Sequence, residues 1–234
     1  MRRRKNRSAY VGFLLAVSIF GIAVSVSLLD ERAPFLVASG ERKILMASLY
    51  GFVCIAGILA VLFPVACTNF IRNRRSSVEN LSSLEMRETK ILGVSLLHGH
   101  HAPGPESVTH EFQIDGKTFC ASCFGFLVGA ILALITVVTF AVSSWSKTDL
   151  AYVSYGLGAV GVLFGLVQML GLKARPRTRF IISAGFVSGT SLMLIGTDIL
   201  TENLIADLLV VLLAVFWIIS RVLLSDRSRN PTGA

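Results

Sequence analysis

The sequence predicts an all-α, polytopic integral membrane protein with about six transmembrane helices. Of its 234 residues, 53% are hydrophobic and only 15% are charged, and the mean hydropathy is +0.71. A transmembrane helix needs about 20 mainly apolar residues, and six runs of about that length are present, none with Lys or Arg near its middle. This composition excludes an ordinary soluble enzyme, a disordered chain and a disulfide-rich secreted domain.

The six predicted spans form a single transmembrane domain over residues 1–234. One long loop, over residues 69–118, joins the second span to the third. The prolines support this division, because only Pro64 lies inside a span, near its end, where a lost backbone hydrogen bond costs least. A cleavable signal peptide is the alternative for the first span, but its length and the lack of an Ala-x-Ala site favour a retained helix. The predicted spans cover residues 9–29, 44–68, 119–142, 150–172, 180–200 and 204–224.

The distribution of Lys and Arg predicts the orientation of the chain, because these residues are retained on the cytoplasmic side during insertion. With the amino terminus inside, the loop over residues 69–118 and the carboxyl terminus are also cytoplasmic, and we expect a multi-pass protein of the cell (plasma) membrane. The basic residues that give the chain its net charge of +8 then lie next to the headgroups of the lipid bilayer. We therefore expect no nucleic-acid partner. Only four of the 22 basic residues would lie outside: Arg32, Arg42, Lys43 and Lys147.

Spans three, four and five each carry two glycines four residues apart. Glycine at this spacing lets helix backbones approach closely, so that dispersion contacts replace the hydrophobic force that lipid does not supply. We therefore predict that these spans pack on one another; a backbone-lined substrate path and self-association through the same faces are the alternatives. The pairs are Gly125 and Gly129, Gly161 and Gly165, and Gly185 and Gly189.

Acidic residues cluster where spans five and six meet on the predicted outer side. Asp198, Glu202 and Asp207 flank the short connection between these spans. We interpret the three as an exposed turn, with an outer vestibule that attracts cations as the alternative. The middle of every predicted span lacks ionisable residues, which argues against a proton relay through the bundle centre.

The chemistry-bearing residues of the sequence gather in the cytoplasmic loop. All four histidines of the chain fall within thirteen residues, and a Cys-x-x-Cys motif follows ten residues later at the start of span three. Imidazole and thiolate are the usual ligands of Zn²⁺, and this cysteine spacing allows two thiolates to bind one tetrahedral ion. The predicted ligands are Cys120 and Cys123 with His100, His101 and His110, and His98 as an alternative.

The predicted sidedness favours a metal over a disulfide, because cytoplasmic thiols are kept reduced and the thiolate is the metal-binding form. Cys67, at the end of span two, is a further thiol at a similar depth. Cys54 is deeper and is interpreted as a packing residue. The sequence therefore predicts one Zn²⁺ per chain at the membrane surface.

An amphipathic helix lying on the membrane surface is predicted before the histidines. Ser76 and Glu79 match a capping box, and apolar residues recur near helical spacing from Val78 to Leu96. Glycine and proline between Gly99 and Pro105 would end this helix. A solvated linker is the alternative.

Nine residues between His101 and Gly129 form a recognisable pattern: His101, Pro103, Glu106, Ser107, Gly116, Cys120, Cys123, Gly125 and Gly129. Through them, the segment from His100 to Gly129 resembles a prokaryotic family of uncharacterised multi-spanning membrane proteins. The family signature is a Cys-His pair, a Pro-Glu-Arg-Ser-like stretch and a Cys-x-Arg-Cys-x-Gly-x-x-x-Gly that enters a helix. The sequence departs from it at His100, in place of cysteine, at the missing arginine before Ser107 and at Ser122. The resemblance implies a membrane fold and a shared site, but no reaction.

Several functions are compatible with this loop. A structural zinc site would tie the loop to the start of span three. A membrane-surface metallohydrolase would use Glu106, Glu111 or Asp115 as general base, and a dithiol redox protein would use Cys120 and Cys123. Metal transport or sensing and histidines without a ligand role are the remaining alternatives. The sequence names no substrate and no protein partner.

Overall fold

The computed structural model describes residues 2–29, 39–62, 87–91, 94–98, 111–114, 117–143, 148–169 and 174–229. Within these ranges the chain forms six helices and two short β-hairpins. The helices are α1 (Arg2–Leu28), α2 (Ser39–Leu62), α3 (Ala121–Val142), α4 (Thr148–Met169), α5 (Pro176–Thr201) and α6 (Leu204–Arg229).

The helices confirm an all-helical membrane domain. Five of them, α1 to α5, are long and apolar enough to cross a bilayer, and α6 has a shorter apolar stretch over Leu204–Ser220. Each helix lies on one of the six predicted spans; α2 is described to Leu62, and residues 63–68 of its predicted span lie outside the described residues. Large apolar side chains such as Phe20, Phe52 and Phe164 are exposed on the outer faces, as expected for a lipid-facing surface.

Two β-hairpins precede α3. Strand β1 (Arg87–Ile91) pairs with β2 (Val94–His98), and β3 (Glu111–Ile114) pairs with β4 (Lys117–Cys120), both antiparallel. The predicted amphipathic helix is therefore wrong over Arg87–His98. The β-branched residues there favour a strand, Gly93 disfavours a helix, and the apolar residues fit either period. The earlier part of that helix, residues 76–86, lies outside the described residues.

Contacts between the helices show that they alternate in direction. Tyr10 near the start of α1 donates to Ser220 Oγ near the end of the apolar part of α6, and Arg42 near the start of α2 reaches Asp198 near the end of α5. The bundle thus has two ends, which we name by one residue each. The Cys120 end carries the starts of α1, α3 and α5, and the Arg42 end carries the starts of α2, α4 and α6.

Helix α5 is the most buried of the long spans; it packs against α3, α4 and α6 and is hydrogen-bonded to α2. Glycines allow this arrangement. A Cβ atom at Gly161 of α4 would lie 2.5 Å from the Gly185 carbonyl oxygen of α5, and one at Gly129 of α3 would lie 2.6 Å from the Ala184 carbonyl oxygen. The prediction that spans three, four and five pack closely is confirmed, with α5 in contact with both neighbours. Self-association of the chain stays a prediction.

Hydrogen bonds between side chains join the helices inside the apolar bundle. Trp217 Nε1 of α6 donates to Ser18 Oγ of α1 at 2.8 Å. Tyr50 of α2 is hydrogen-bonded to the Thr190 hydroxyl of α5, and also donates to the Val187 carbonyl. Because lipid offers no competing partners, such bonds satisfy polar groups and fix the rotation of each helix.

We predict that Gly161→Leu lowers the stability of the bundle, because any side chain at this position collides with the backbone of α5. The expected loss is roughly 1–3 kcal/mol, as is typical of overpacking. Thermal unfolding of the purified protein in detergent measures it. Gly156→Leu, on the same helix at an exposed position with nothing within 4 Å, is the matched control. Equal stability of the two variants would contradict the proposed packing.

Candidate functional site

The predicted metal ligands lie partly inside and partly outside the described residues. Cys120 is the last residue of β4, Cys123 lies in the first turn of α3, and His98 is the last residue of β2. Glu111, one of the general-base candidates, is the first residue of β3. The predicted residues outside the described ranges are His100, His101, His110, Glu106, Asp115 and Cys67.

The two cysteines lie where a strand passes directly into a helix. Cys120 is the N-cap of α3, with extended backbone angles of φ −71° and ψ 116°, and is buried, whereas Cys123 is partly exposed. Neither forms a disulfide. A spacing of three residues at the start of a helix places both residues at the same end of that helix, next to backbone N–H groups without intrahelical partners.

The second hairpin brings the preceding loop back to these cysteines. Its register pairs Glu111 with Cys120 and Phe112 with Phe119. Strand β3 also contacts α5. His110 is the residue before Glu111 in the chain, so the segment that bears it enters the hairpin at the cysteine end of the ladder.

A basic side chain adds positive charge beside the first cysteine. Arg179, in the first turn of α5, interacts electrostatically with Cys120, and its Nε donates to the Ala174 carbonyl at 3.0 Å. The rings of Phe124 and Phe180 stack nearby, with centroids 5.7 Å apart. A neighbouring guanidinium stabilises a thiolate relative to a thiol, and the thiolate is the form that binds metals and attacks disulfides.

Among the residues that the structure describes, no three His, Cys, Asp or Glu side chains converge as a metal site. Two predicted thiol ligands are described, and the three preferred imidazoles are not. The described part of the site is therefore a pair of thiols, with Glu111 across from the first of them in the backbone register.

The Arg42 end contains a cluster of charged residues whose proximity the sequence does not predict. Arg42 Nε donates to Asp198 Oδ1 at 2.8 Å and lies 3.8 Å from Asp207 Oδ2. The same guanidinium donates through Nη1 to the Glu202 carbonyl at 2.6 Å. All three charged side chains are buried, with Arg42 2%, Asp198 1% and Asp207 0% exposed.

The predicted exposed turn is thus wrong for two of its three acidic residues. Only Glu202 is exposed; it caps α5 in the left-handed conformation, with φ 49°, and its N–H donates to the Asp198 carbonyl. The side-chain oxygen of Asn203 accepts from the Ile205 N–H, and α6 begins at the next residue, Leu204. This tight connection leaves Asp198 and Asp207 on the last turn of one helix and the first turn of the next, where both face into the bundle.

A signal for this burial exists in the sequence. Asp198 and Asp207 are each surrounded by apolar residues, as in Leu-Ile-Gly-Thr-Asp-Ile-Leu, and a charge in such a run needs a partner. The partner itself is not visible, since Arg42 is 156 residues away from Asp198 along the chain. Only the antiparallel packing of α2 against α5 joins them.

We predict that Arg42→Gln lowers stability by roughly 3–5 kcal/mol at mildly alkaline pH, because it breaks a buried ion pair and removes the cation that contacts Asp198. The matched control is Lys43→Gln. Lys43 is the next residue and only half-buried, with its Nζ 5.0 Å from the centre of the Phe140 ring, a contact worth about 0.5–1 kcal/mol at such a site. Thermal unfolding compares the two variants, and a loss no greater for Arg42→Gln would contradict a buried ion pair.

Comparison of the chain with family models, curated proteins and solved structures found no match. The resemblance carried by the segment from His100 to Gly129 therefore stays a prediction.

Proposed function

We propose that this integral membrane protein binds one Zn²⁺ at its cytoplasmic surface, in a structural site that fastens the loop between α2 and α3 to the start of α3. Cys120 and Cys123 supply two thiolates. Two of His100, His101 and His110 supply the imidazoles, with His98 as the alternative ligand. Four such ligands form a closed tetrahedral set.

The register of the second hairpin carries this proposal. Pairing of Glu111 with Cys120 returns the chain to the cysteines directly after the histidine-rich segment. The histidine-bearing loop can bring its imidazoles to the thiolates only if the chain runs back to the cysteines in this way. A metal ion at this point would hold the hairpin, the loop and α3 together, which a four-residue ladder does weakly.

The distribution of basic residues supports a cytoplasmic position for the Cys120 end. The basic start of α1, Arg175, Arg177 and Arg179 all lie at this end, whereas Arg42 at the other end is buried in an ion pair. Positive residues next to spans favour the cytoplasmic side. Reduced thiols, which a zinc site requires, persist on that side.

A dithiol redox function is the second candidate, and the electrostatic interaction between Arg179 and Cys120 favours it. A guanidinium that stabilises the Cys120 thiolate would make it the attacking or leaving sulfur in exchange with a second thiol protein or a quinone. Such a protein would lack a tightly bound metal. The hydrolase, transport and sensing alternatives have no observation in their favour within the described ranges.

We predict that the purified wild-type protein contains about one zinc ion per chain and that Cys120→Ser and Cys123→Ser each remove most of it, because loss of one thiolate opens a four-ligand site. Elemental analysis of protein purified without added chelator measures the content. Cys54→Ser, at a buried thiol of α2, is the matched control and should keep the metal.

The same measurement distinguishes the imidazoles. His110→Ala should lose zinc as the cysteine variants do, since His110 adjoins the residue paired with Cys120. His98→Ala should keep it if the preferred ligands are correct. If the wild-type protein contained no metal and two readily oxidised thiols, the result would contradict the zinc site and support the dithiol function.

We also predict that a membrane-impermeant thiol reagent, applied to intact cells, leaves Cys123 unlabelled, because the Cys120 end faces the cytoplasm. Cys123 is partly exposed and is therefore a suitable reporter. Mass spectrometry after lysis, with permeabilised and chelator-treated cells as the positive control, detects the label. Labelling of Cys123 in intact cells would reverse the proposed orientation.

A further inference from the structure

The buried cluster at the Arg42 end has more negative than positive charge. It contains one guanidinium, that of Arg42, and two carboxyl groups, those of Asp198 and Asp207. If both aspartates were ionised, the cluster would carry a net charge of −1 inside the protein, where an uncompensated charge is strongly disfavoured.

The hydrogen bonds show which carboxylate oxygens of the cluster lack a donor. Within the described part of the chain, Asp198 Oδ1 has a donor, but Asp198 Oδ2 and both oxygens of Asp207 have none. The Thr197 hydroxyl next to Asp198 also has no partner there. Asp207 is fully buried, and Arg42 Nε, 3.8 Å from its Oδ2, is beyond hydrogen-bond distance.

Among the residues that the structure describes, the other ionisable groups around the cluster do not neutralise it. On α2, Glu41 is exposed and Lys43 lies over the Phe140 ring. On α4, Asp149 and Tyr152 are exposed, and Tyr155, which packs against Gly196 of α5, is hydrogen-bonded to Ser25 of α1 at 2.7 Å. Glu202 directs its carbonyl to Arg42 and has an exposed side chain. The remaining charged residues in the adjoining connections, Asp30, Glu31, Arg32 and Lys147, lie outside the described residues.

We propose that Asp198 and Asp207 form a binding site for one exchangeable proton, held between the two carboxyl groups beside Arg42. The proton neutralises the cluster and supplies the donor that their oxygens lack, since two carboxylates in one buried site share a proton rather than both ionising. A metal cation suits the site less well, because the guanidinium that contacts both carboxylates would repel it.

The position of the site gives the proton a structural consequence. Arg42 belongs to α2, Asp198 to α5 and Asp207 to α6, so the protonated cluster joins three helices at one end of the bundle. The exposed Glu202 on the connection between α5 and α6 offers a surface carboxylate beside it. Release of the proton would leave two carboxylates competing for one guanidinium and would loosen α6 from this end.

Infrared spectroscopy of the purified full-length protein tests the proposal. At neutral pH the wild type should show the carbonyl stretch of a protonated carboxylic acid, and raising the pH should remove it. Asp207→Asn should lack the band, and so should Asp198→Asn, because the one remaining aspartate is then neutralised by Arg42. Arg42→Gln should increase the band about twofold, since both carboxyl groups then take up a proton.

Asp149→Asn, at an exposed carboxylate, is the matched control and should leave the band unchanged. Exchange of sodium chloride for choline chloride should also leave it unchanged. A wild-type spectrum without the band at neutral pH, or a band that survives in Asp207→Asn, would overturn the proposal. Loss of the band on adding sodium would overturn it as well, because the site would then take a metal cation. The wild-type titration and the sodium exchange need no variant to fold.

Discussion

Close contact between the backbone of α5 and those of α3 and α4 is the constraint on which the bundle depends. Gly129 and Gly161 leave no side chain between the helices, so carbonyl oxygens of α5 take the space that a Cβ atom would need. Dispersion over such contacts replaces the hydrophobic force in lipid. With α5 held on these sides, it also contacts α6 and is hydrogen-bonded to Tyr50 and Arg42 of α2.

The two chemical features of the protein lie at opposite ends of this packed unit. At one end, Cys120 and Cys123 begin α3 beside Arg179 at the start of α5. At the other, Asp198 near the end of α5 contacts Arg42. Helix α5 runs from one of these ends to the other and carries both Arg179 and Asp198. The thiol site and the proton site are nevertheless independent proposals, because they share no residue.

The sequence predicts the parts of this structure that depend on local pattern. The apolar runs predict all six helices, and the glycine spacing predicts the packing of α5 against α3 and α4. Burial in lipid and close backbone approach each need a particular residue type at a particular spacing. The segment Arg87–His98 forms a hairpin where the sequence predicts a helix, because its apolar residues fit both periods. The burial of Asp198 and Asp207 was missed because it depends on Arg42, which only the packed bundle brings near. The histidine ligands stay predictions from sequence.

The coordination of zinc tests the central claim most directly. X-ray absorption at the zinc edge, on the purified full-length protein, measures the type and distance of the atoms around the metal. The account predicts about two sulfur neighbours at roughly 2.3 Å and about two imidazole nitrogens at roughly 2.0–2.1 Å. Zinc surrounded only by oxygen and nitrogen, or protein that contains no zinc, would contradict the proposed site.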